Sequence, residues 1–137
     1  MRRAYGALGR GDFEGVMEMV HSEVVIRDRP ELPDPRTYRG HAGVREALQG
    51  SFDAFDSFEF DAERFVVAGD RVVVVVKMTG RGRESGVPVE ARIAHLWTLR
   101  DGRAHRLQVY SDPEQAIADA RAAGAADAAE ADSAHPR

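Results

Sequence analysis

The feature that most constrains the fold is a change in hydrophobic period near residue 58. Before it, apolar residues recur every three or four positions, whereas from Phe58 onward four successive runs follow a period of two. Two pairs of runs meet at turn sequences, Gly69-Asp70 and Asp101-Gly102, and the second is a strong signal for a tight hairpin. The sequence therefore predicts helices followed by a long antiparallel meander.

Three helices are predicted before this change. Asp12 can cap a helix that begins at Phe13, and two glycines separate it from a preceding turn of helix that carries Tyr5 and Leu8. A third helix is predicted after Gly40, with one apolar stripe formed by Val44, Leu48, Phe52 and Phe55. This stripe must face a sheet.

The valine run from Val72 to Val76 indicates how the sheet is covered. It lacks polar alternation, which is typical of a central strand that is covered on both faces. Together with the helices, this predicts an α+β fold in which a curved, mainly antiparallel sheet wraps around about three helices.

The length of 137 residues fits one domain, which we place at residues 1–118. A last helix is predicted from Asp112-Pro113, but residues 119–137 are rich in alanine and carry no large apolar stripe. We expect this tail to be frayed past Gly124 or disordered, with a docking helix as the alternative.

Composition limits the chemistry and the partners. The chain has no cysteine, so thiolate nucleophiles and thiolate metal sites are excluded. Its net charge is −4 and its arginines are scattered, which argues against a nucleic-acid surface. No segment has the roughly 18 apolar residues of a membrane span and no signal-like apolar region follows the first arginines, so a cytoplasmic protein without a membrane partner is predicted.

The five histidines show no H-x-H or H-x-x-x-H spacing on one element, so no metal site is predicted. The chemistry then has to come from oxygen and nitrogen groups of the protein itself. We accordingly predict no cofactor.

A candidate acid–base pair emerges from strand alternation. Asp28 ends an apolar run just before a proline-rich loop, on the same strand face as Ile26, while His95 shares a face with Ile93 and Trp97. A carboxylate and an imidazole can therefore meet among apolar neighbours, where desolvation raises the pKa of a carboxyl group and suits it to act as a base. The alternatives are that Asp28 belongs to a surface ion pair or turn and that His95 is a hydrogen-bonded core residue.

Three segments carry a family resemblance: "AYGALGRGDFEGVMEMVHSEVVIRD", "YRGHAGVREAL" and "AHLWTLRDGRAHRLQVYSD". From Arg2 to about Ala118 they resemble the SnoaL-like branch of the nuclear transport factor 2-like (ketosteroid isomerase-like) superfamily. The resemblance implies a cystatin-like cone of helices and bent sheet around an apolar pocket, commonly with the outer sheet face in a dimer. The superfamily includes ketosteroid isomerases, polyketide cyclases, epoxide hydrolases, dehydratases and binding modules, so fold alone does not give the function.

The resemblance also implies roles for single residues. Asp28 stands where the isomerases keep the aspartate that moves the substrate proton. Ala4 stands in place of their oxyanion-hole tyrosine, with Tyr5 beside it, and His95 stands about where they keep a second, protonated acid. Val109 replaces the catalytic aspartate of the epoxide hydrolases, which argues against that activity.

Two function classes stay open. The first is a cofactor-free isomerase-, cyclase- or lyase-type enzyme acting on an apolar carbonyl or polyketide-like compound, with Asp28 as base and His95 as hydrogen-bond donor. The second is a binding or dimerisation module of the same fold, without turnover. In either case the expected pocket-lining residues are Tyr5, Ile26, Tyr38, Phe52, Phe55, Ile93, Trp97, Leu107 and Val109.

A homodimer through the outer sheet face is also predicted. The strands carry apolar side chains on both faces, whereas the predicted helices cover only one. The candidates for contact with a second copy are Val73, Val75, Leu96 and Tyr110.

Overall fold

The computed structural model describes residues 2–9 and 12–134, and the side-chain surroundings of all of these except 9, 51 and 127–134. The four helices are α1 (Arg2–Gly9), α2 (Phe13–Glu18), α3 (Gly40–Ala54) and α4 (Pro113–Ala134). The six strands are β1 (Val20–Arg27), β2 (Thr37–Arg39), β3 (Phe55–Ala68), β4 (Arg71–Gly82), β5 (Pro88–Arg100) and β6 (Arg103–Tyr110). Within the described part of the chain, none of the helices has an apolar stretch that could cross a membrane.

The strands form one sheet in the order β2-β1-β6-β5-β4-β3. Neighbours are antiparallel except β1 and β6, which run parallel, so the predicted meander and the mixed sheet are both confirmed. The β5–β6 hairpin turns at Asp101 and Gly102, which both have positive φ, as a tight primed turn requires. The predicted α+β class is confirmed.

Helices α1 to α3 pack on one face of the sheet, which we call the inner face. The predicted cap is confirmed, because the Asp12 carboxylate accepts a hydrogen bond from the Gly15 amide at 3.1 Å. The inner core joins apolar residues of these helices to fully buried valines such as Val24, Val74 and Val76. One prediction is wrong in detail: Phe55 does not end the stripe of α3 but has extended backbone and begins β3.

Helix α4 packs on the opposite, outer face of the sheet. Ala116, Ile117 and Ala120 are buried there against Val73 and Leu96, and the helix is continuous to Ala134. Ala120 is the last buried residue among the described side chains of this helix, and residues 125 and 126 are exposed. The predicted fraying past Gly124 and its docking alternative both stay predictions. Small residues are enough to bury this helix, because alanines and Gly124 let its backbone lie close to the sheet. At Gly124 an added Cβ atom would lie only 3.3 Å from the carbonyl oxygen of Ala68.

The position of α4 also changes the basis of the predicted homodimer. Val73 and Leu96 are buried by α4 of the same chain, Tyr110 packs beside them, and Val75 is buried as well. The apolar surface that motivated a partner is therefore largely covered without one. The homodimer stays a prediction.

Candidate functional site

A cavity of about 110 Å³ lies between α1–α3 and the inner face of the sheet. Its walls are almost entirely apolar. They are formed by Ala4, Leu8, Val16, Met19, Val20, Ile26, Val44, Leu48, Phe60 and Leu107, together with Tyr5, His95 and Trp97, whose side chains carry polar atoms.

The three polar groups form a connected chain of hydrogen bonds. The hydroxyl oxygen of Tyr5 lies 2.6 Å from Nδ1 of His95 and 2.8 Å from Nε1 of Trp97. Helix α1 supplies Tyr5 and strand β5 supplies the other two, so the bonds tie the first helix to the centre of the sheet. Phe60 meets the His95 ring edge-to-face at a centroid distance of 6.1 Å and completes its apolar surroundings.

The direction of these bonds follows from the donors available. An indole N–H can only donate, so Trp97 donates to the Tyr5 oxygen. Among the described residues, the hydroxyl hydrogen of Tyr5 then has one acceptor in reach, Nδ1 of His95. This pairing leaves the proton of the neutral imidazole on Nε2, because Nδ1 must offer its lone pair.

Burial keeps both titratable groups uncharged. It raises the pKa of Tyr5 well above its ordinary value, so the hydroxyl keeps its hydrogen. It lowers the pKa of His95 to about 4, so the imidazole is neutral near pH 7. The neutral state agrees with the direction of the hydrogen bonds, since an imidazolium could not accept one at Nδ1.

The second nitrogen of His95 is the polar atom that the cavity offers to a ligand. In the described residues no buried side-chain nitrogen or oxygen lacks a hydrogen-bond partner. Nε2 of His95 has none among these residues, so it must retain accessible surface, and His95 lines the cavity. The site therefore presents one oriented N–H donor in an apolar chamber.

Asp28 lies outside this chamber. Strand β1 ends at Arg27, and the Asp28 carboxylate accepts a hydrogen bond from the Arg36 amide at 3.1 Å, while the Asp28 amide donates to the Arg36 carbonyl at 3.0 Å. These bonds close the proline-rich loop. Alternation could not place the side chain because the strand stops one residue earlier. The predicted orientation into the pocket is thus corrected, and the role of Asp28 as a base stays a prediction.

Five of the residues predicted for the site line the cavity: Tyr5, Ile26, His95, Trp97 and Leu107. Besides Asp28, five others do not. Ile93 is buried in the same core, and Tyr38, Phe52 and Val109 pack against it. Phe55 stacks on Phe58 at a centroid distance of 5.4 Å, because it belongs to an aromatic cluster at the start of β3.

The sequence did not indicate several walls of the cavity. Val44 and Leu48 were predicted to face the sheet but not to line a pocket, and Ala4 was noted only as a missing tyrosine. The Tyr5–His95 bond joins residues that are 90 positions apart, so no local pattern could predict it.

Metal ligation finds no support in the described residues, where no group of three or more His, Cys, Asp or Glu side chains is placed to hold an ion. His21 and His105 stack at a centroid distance of 4.0 Å on neighbouring strands, without a third ligand.

Comparison with known proteins decides the family. The family model described as the SnoaL-like domain matches residues 1–107. The chain belongs to this family. The SnoaL-like domain thus includes α1 to α3, the whole of β1 to β5 and the His95 site, whereas α4 lies beyond the matched residues.

Solved structures similar to this SnoaL-like domain share its fold. An NTF2-like protein from Burkholderia thailandensis E264 has a TM-score of 0.74 at 25% identity, covering 87% of this chain and 92% of that one. TerC, co-crystallised with polyporic acid, has a TM-score of 0.70 at 26% identity, covering 82% and 88%. A putative polyketide cyclase from Sinorhizobium meliloti, at 22% identity, has a TM-score of 0.63 and covers 78% and 89%.

One curated relative carries a different name. The protein named endoribonuclease YbeY from Methylococcus capsulatus is 35% identical over 109 residues, which are 77% of this chain and 67% of that protein.

The ketosteroid isomerase-like fold is represented by a protein from Catenulispora acidiphila in complex with trimethylamine, at 14% identity and a TM-score of 0.69, covering 80% of this chain and 82% of that one. At 14% identity, the similarity to the Catenulispora acidiphila protein concerns the fold alone.

Proposed function

We propose that this SnoaL-like chain is a cofactor-free enzyme that binds a small, uncharged carbonyl compound in its cavity and moves a proton on it. The reaction is of the isomerase, cyclase or lyase type. The observation that carries the proposal is the oriented Nε2–H donor of His95, held by Tyr5 in an otherwise apolar chamber.

The N–H donor of His95 favours a ligand that carries a hydrogen-bond acceptor. A carbonyl oxygen placed on Nε2 of His95 receives a hydrogen bond, and this bond strengthens when proton loss turns the carbonyl into an enolate. A charged ligand is disfavoured, because none of the described residues that line the cavity has an ionised side chain to compensate for its desolvation.

The volume limits the ligand to a single small ring. An apolar cavity of roughly 150 Å³ accommodates benzene, so one of about 110 Å³ holds a compound of similar size or smaller. TerC, a solved structure with a similar fold, was co-crystallised with a small organic compound, polyporic acid. This supports a small organic molecule as the class of ligand.

The base in this proposal is Asp28. No carboxylate lines the described cavity, but Asp28 follows two residues after Ile26, which does. Asp28 is partly exposed, and its carboxylate holds the loop through Oδ2. Its Oδ1 has no hydrogen bond among the described residues. A substrate whose acidic C–H points along β1 toward this loop would bring the two together.

The experiment is hydrogen–deuterium exchange of cyclopentanone in D₂O, followed by NMR at increasing ketone concentration. We expect saturable exchange, reduced about 10² to 10⁴-fold in Asp28→Asn. In His95→Asn a loss of about 10² to 10³-fold is expected, because the shorter amide side chain places no donor at the position of Nε2. The matched controls are Asp34→Asn in the same loop and His105→Asn on the surface, which should exchange like the unmodified protein.

The same experiment decides between the enzyme and the binding module. The absence of a carboxylate from the described cavity walls favours the module. Binding of cyclopentanone without exchange, detected by the fluorescence of the single tryptophan, Trp97, would establish it. Failure of small ketones to bind at all would contradict both forms of the proposal.

RNA cleavage, suggested by the name of the curated relative, does not fit this cavity. A chamber of about 110 Å³ is smaller than a nucleotide, and the described residues of its walls carry no cation. Incubation with single-stranded RNA tests this directly, and we expect no cleavage.

A further inference from the structure

The outer face of the sheet gathers three arginines around Val25 on β1. Val25 is directly paired with Arg39 on β2 and with Arg106 on β6, and Arg27 follows two positions later on β1. Paired residues and residues two apart share a face of a sheet. These side chains therefore lie on one side, opposite to the buried Ile26.

The three arginines line a shallow depression of about 240 Å³, with Val25, Leu107 and Gln108 between them. Helix α4 packs over β3 to β5 and contacts β6 only near Tyr110, at the end of that strand. The half of the outer face formed by β2, β1 and the rest of β6 is therefore left open. All three arginines are exposed.

No carboxylate compensates these charges. Among the described residues, the guanidinium groups of Arg27, Arg39 and Arg106 make no ion pair and no hydrogen bond. Other exposed arginines of the chain do pair: Arg36 with Glu46 at 2.8 Å, Arg45 with Glu14 at 2.9 Å and Arg92 with Glu63 at 2.7 Å. The cluster lies in a chain whose acidic residues outnumber the basic ones, 23 to 19.

Like charges on adjacent strands repel one another and weaken the pairing of those strands. An anion bound between the three groups would remove this repulsion. Guanidinium groups suit phosphate oxygens in particular, because their planar fork can donate two parallel hydrogen bonds.

We propose that Arg27, Arg39 and Arg106 form a binding site for a phosphate-type oxyanion, on the opposite side of the sheet from the cavity. The proposal does not depend on the carbonyl chemistry of the cavity. The oxyanion can belong to a small phosphorylated compound or to the backbone of RNA, since both present the same group.

Titration with sodium pyrophosphate at low ionic strength, followed in ¹H–¹⁵N NMR spectra, tests the site. We expect saturable shifts of the amides near Val25, Arg39 and Arg106, and weakening by at least about tenfold in Arg39→Gln/Arg106→Gln. The matched control is Arg3→Gln/Arg121→Gln, which changes the net charge equally at exposed arginines of α1 and α4 and should bind as the unmodified protein does.

A single-stranded RNA octamer forms the second arm and distinguishes the sources. RNA that competes with pyrophosphate and loses affinity in the same double variant supports the site and identifies nucleic acid as its ligand. Pyrophosphate binding without RNA competition supports a small phosphorylated compound. The proposal is overturned if shifts are not saturable, or if the control variant weakens binding as much as the cluster variant.

Discussion

At the scale of the residue, His95 is neutral because of its surroundings and not because of a charged neighbour. Its ring is enclosed by Phe60, Tyr5 and Trp97, and the groups that face it are uncharged. Removing an imidazolium from water costs far more than removing the neutral ring, and this lowers the pKa to about 4. The neutral form is also the one that can accept from Tyr5 and donate to a ligand.

This pKa predicts how stability depends on pH. Between pH 6.5, the ordinary value for histidine, and about 4, the unfolded chain binds a proton at His95 that the folded chain does not. The free energy of unfolding should therefore fall as the pH drops through this window, by roughly 3 kcal/mol at most, and His95 should contribute no pH dependence above it. Urea unfolding followed by Trp97 fluorescence between pH 4 and 8 measures the effect.

Two variants separate this contribution from that of the carboxylates. His95→Asn keeps an acceptor oxygen near Tyr5 and should lose the additional acid sensitivity. His105→Asn, at a partly exposed residue, should retain the contribution of His95. If His95→Asn and the unmodified protein show the same change of stability with pH, then His95 is protonated in the folded state and the described site is incorrect.

Single residues also show how far sequence patterns reach. Strand alternation correctly predicted that His95 and Trp97 face the pocket, because β5 is a regular strand of 13 residues in which side chains alternate between the two faces. The same argument failed for Asp28, since β1 ends at Arg27 and the loop sets the direction of the next side chain. Tyr5 could be predicted to line a pocket, but its bond to His95 depends on how α1 sits on the sheet.

At the scale of the element, α4 shows that alanines can form a docking surface. Ala116 and Ala120 are fully buried beside Ile117 on the outer face, whereas Ala118 is exposed on the other side of the helix. The sequence carries no large apolar stripe here, so its hydrophobic pattern does not predict this burial. The burial results from small side chains that let the helix lie close to the sheet.

The same substitution on the two sides of α4 tests this packing. Ala120→Gln forces a polar side chain into the interface and should lower the free energy of unfolding by about 1 to 3 kcal/mol. Ala118→Gln should change it by no more than about 0.5 kcal/mol. Urea unfolding of both variants provides the comparison, and equal stabilities would contradict the docking of α4.

Elements with local signals were predicted best. The hairpin at Asp101 and Gly102 follows from turn chemistry alone, and the Asp12 cap from its position before Phe13. The residue at which α3 ends and the packing of α4 depend on the surface of the sheet that each helix contacts. For such elements a sequence supplies the propensity, while the partner surface decides the outcome.

At the scale of the whole molecule, the sheet separates two surfaces of different character. The inner face encloses an apolar cavity with one donor, and the outer face is divided between α4 and an arginine-lined half. A two-fold homodimer through this outer face would bury the same patch on both copies, so any arginine within that patch would need a hydrogen-bond acceptor or a carboxylate on the partner. It stays a prediction, without the apolar surface that first suggested it.

The proposed function depends on the protonation state of His95, and ¹⁵N NMR of the histidine side chains measures it directly. At neutral pH we predict that His95, assigned by the loss of its signals in His95→Asn, has a protonated Nε2 and an unprotonated Nδ1. Its Nε2–H proton should shift downfield when cyclopentanone is added and should not respond to cyclopentane. A His95 that is protonated at Nδ1, or that exists as imidazolium at neutral pH, would contradict the described hydrogen bonds and the function proposed from them.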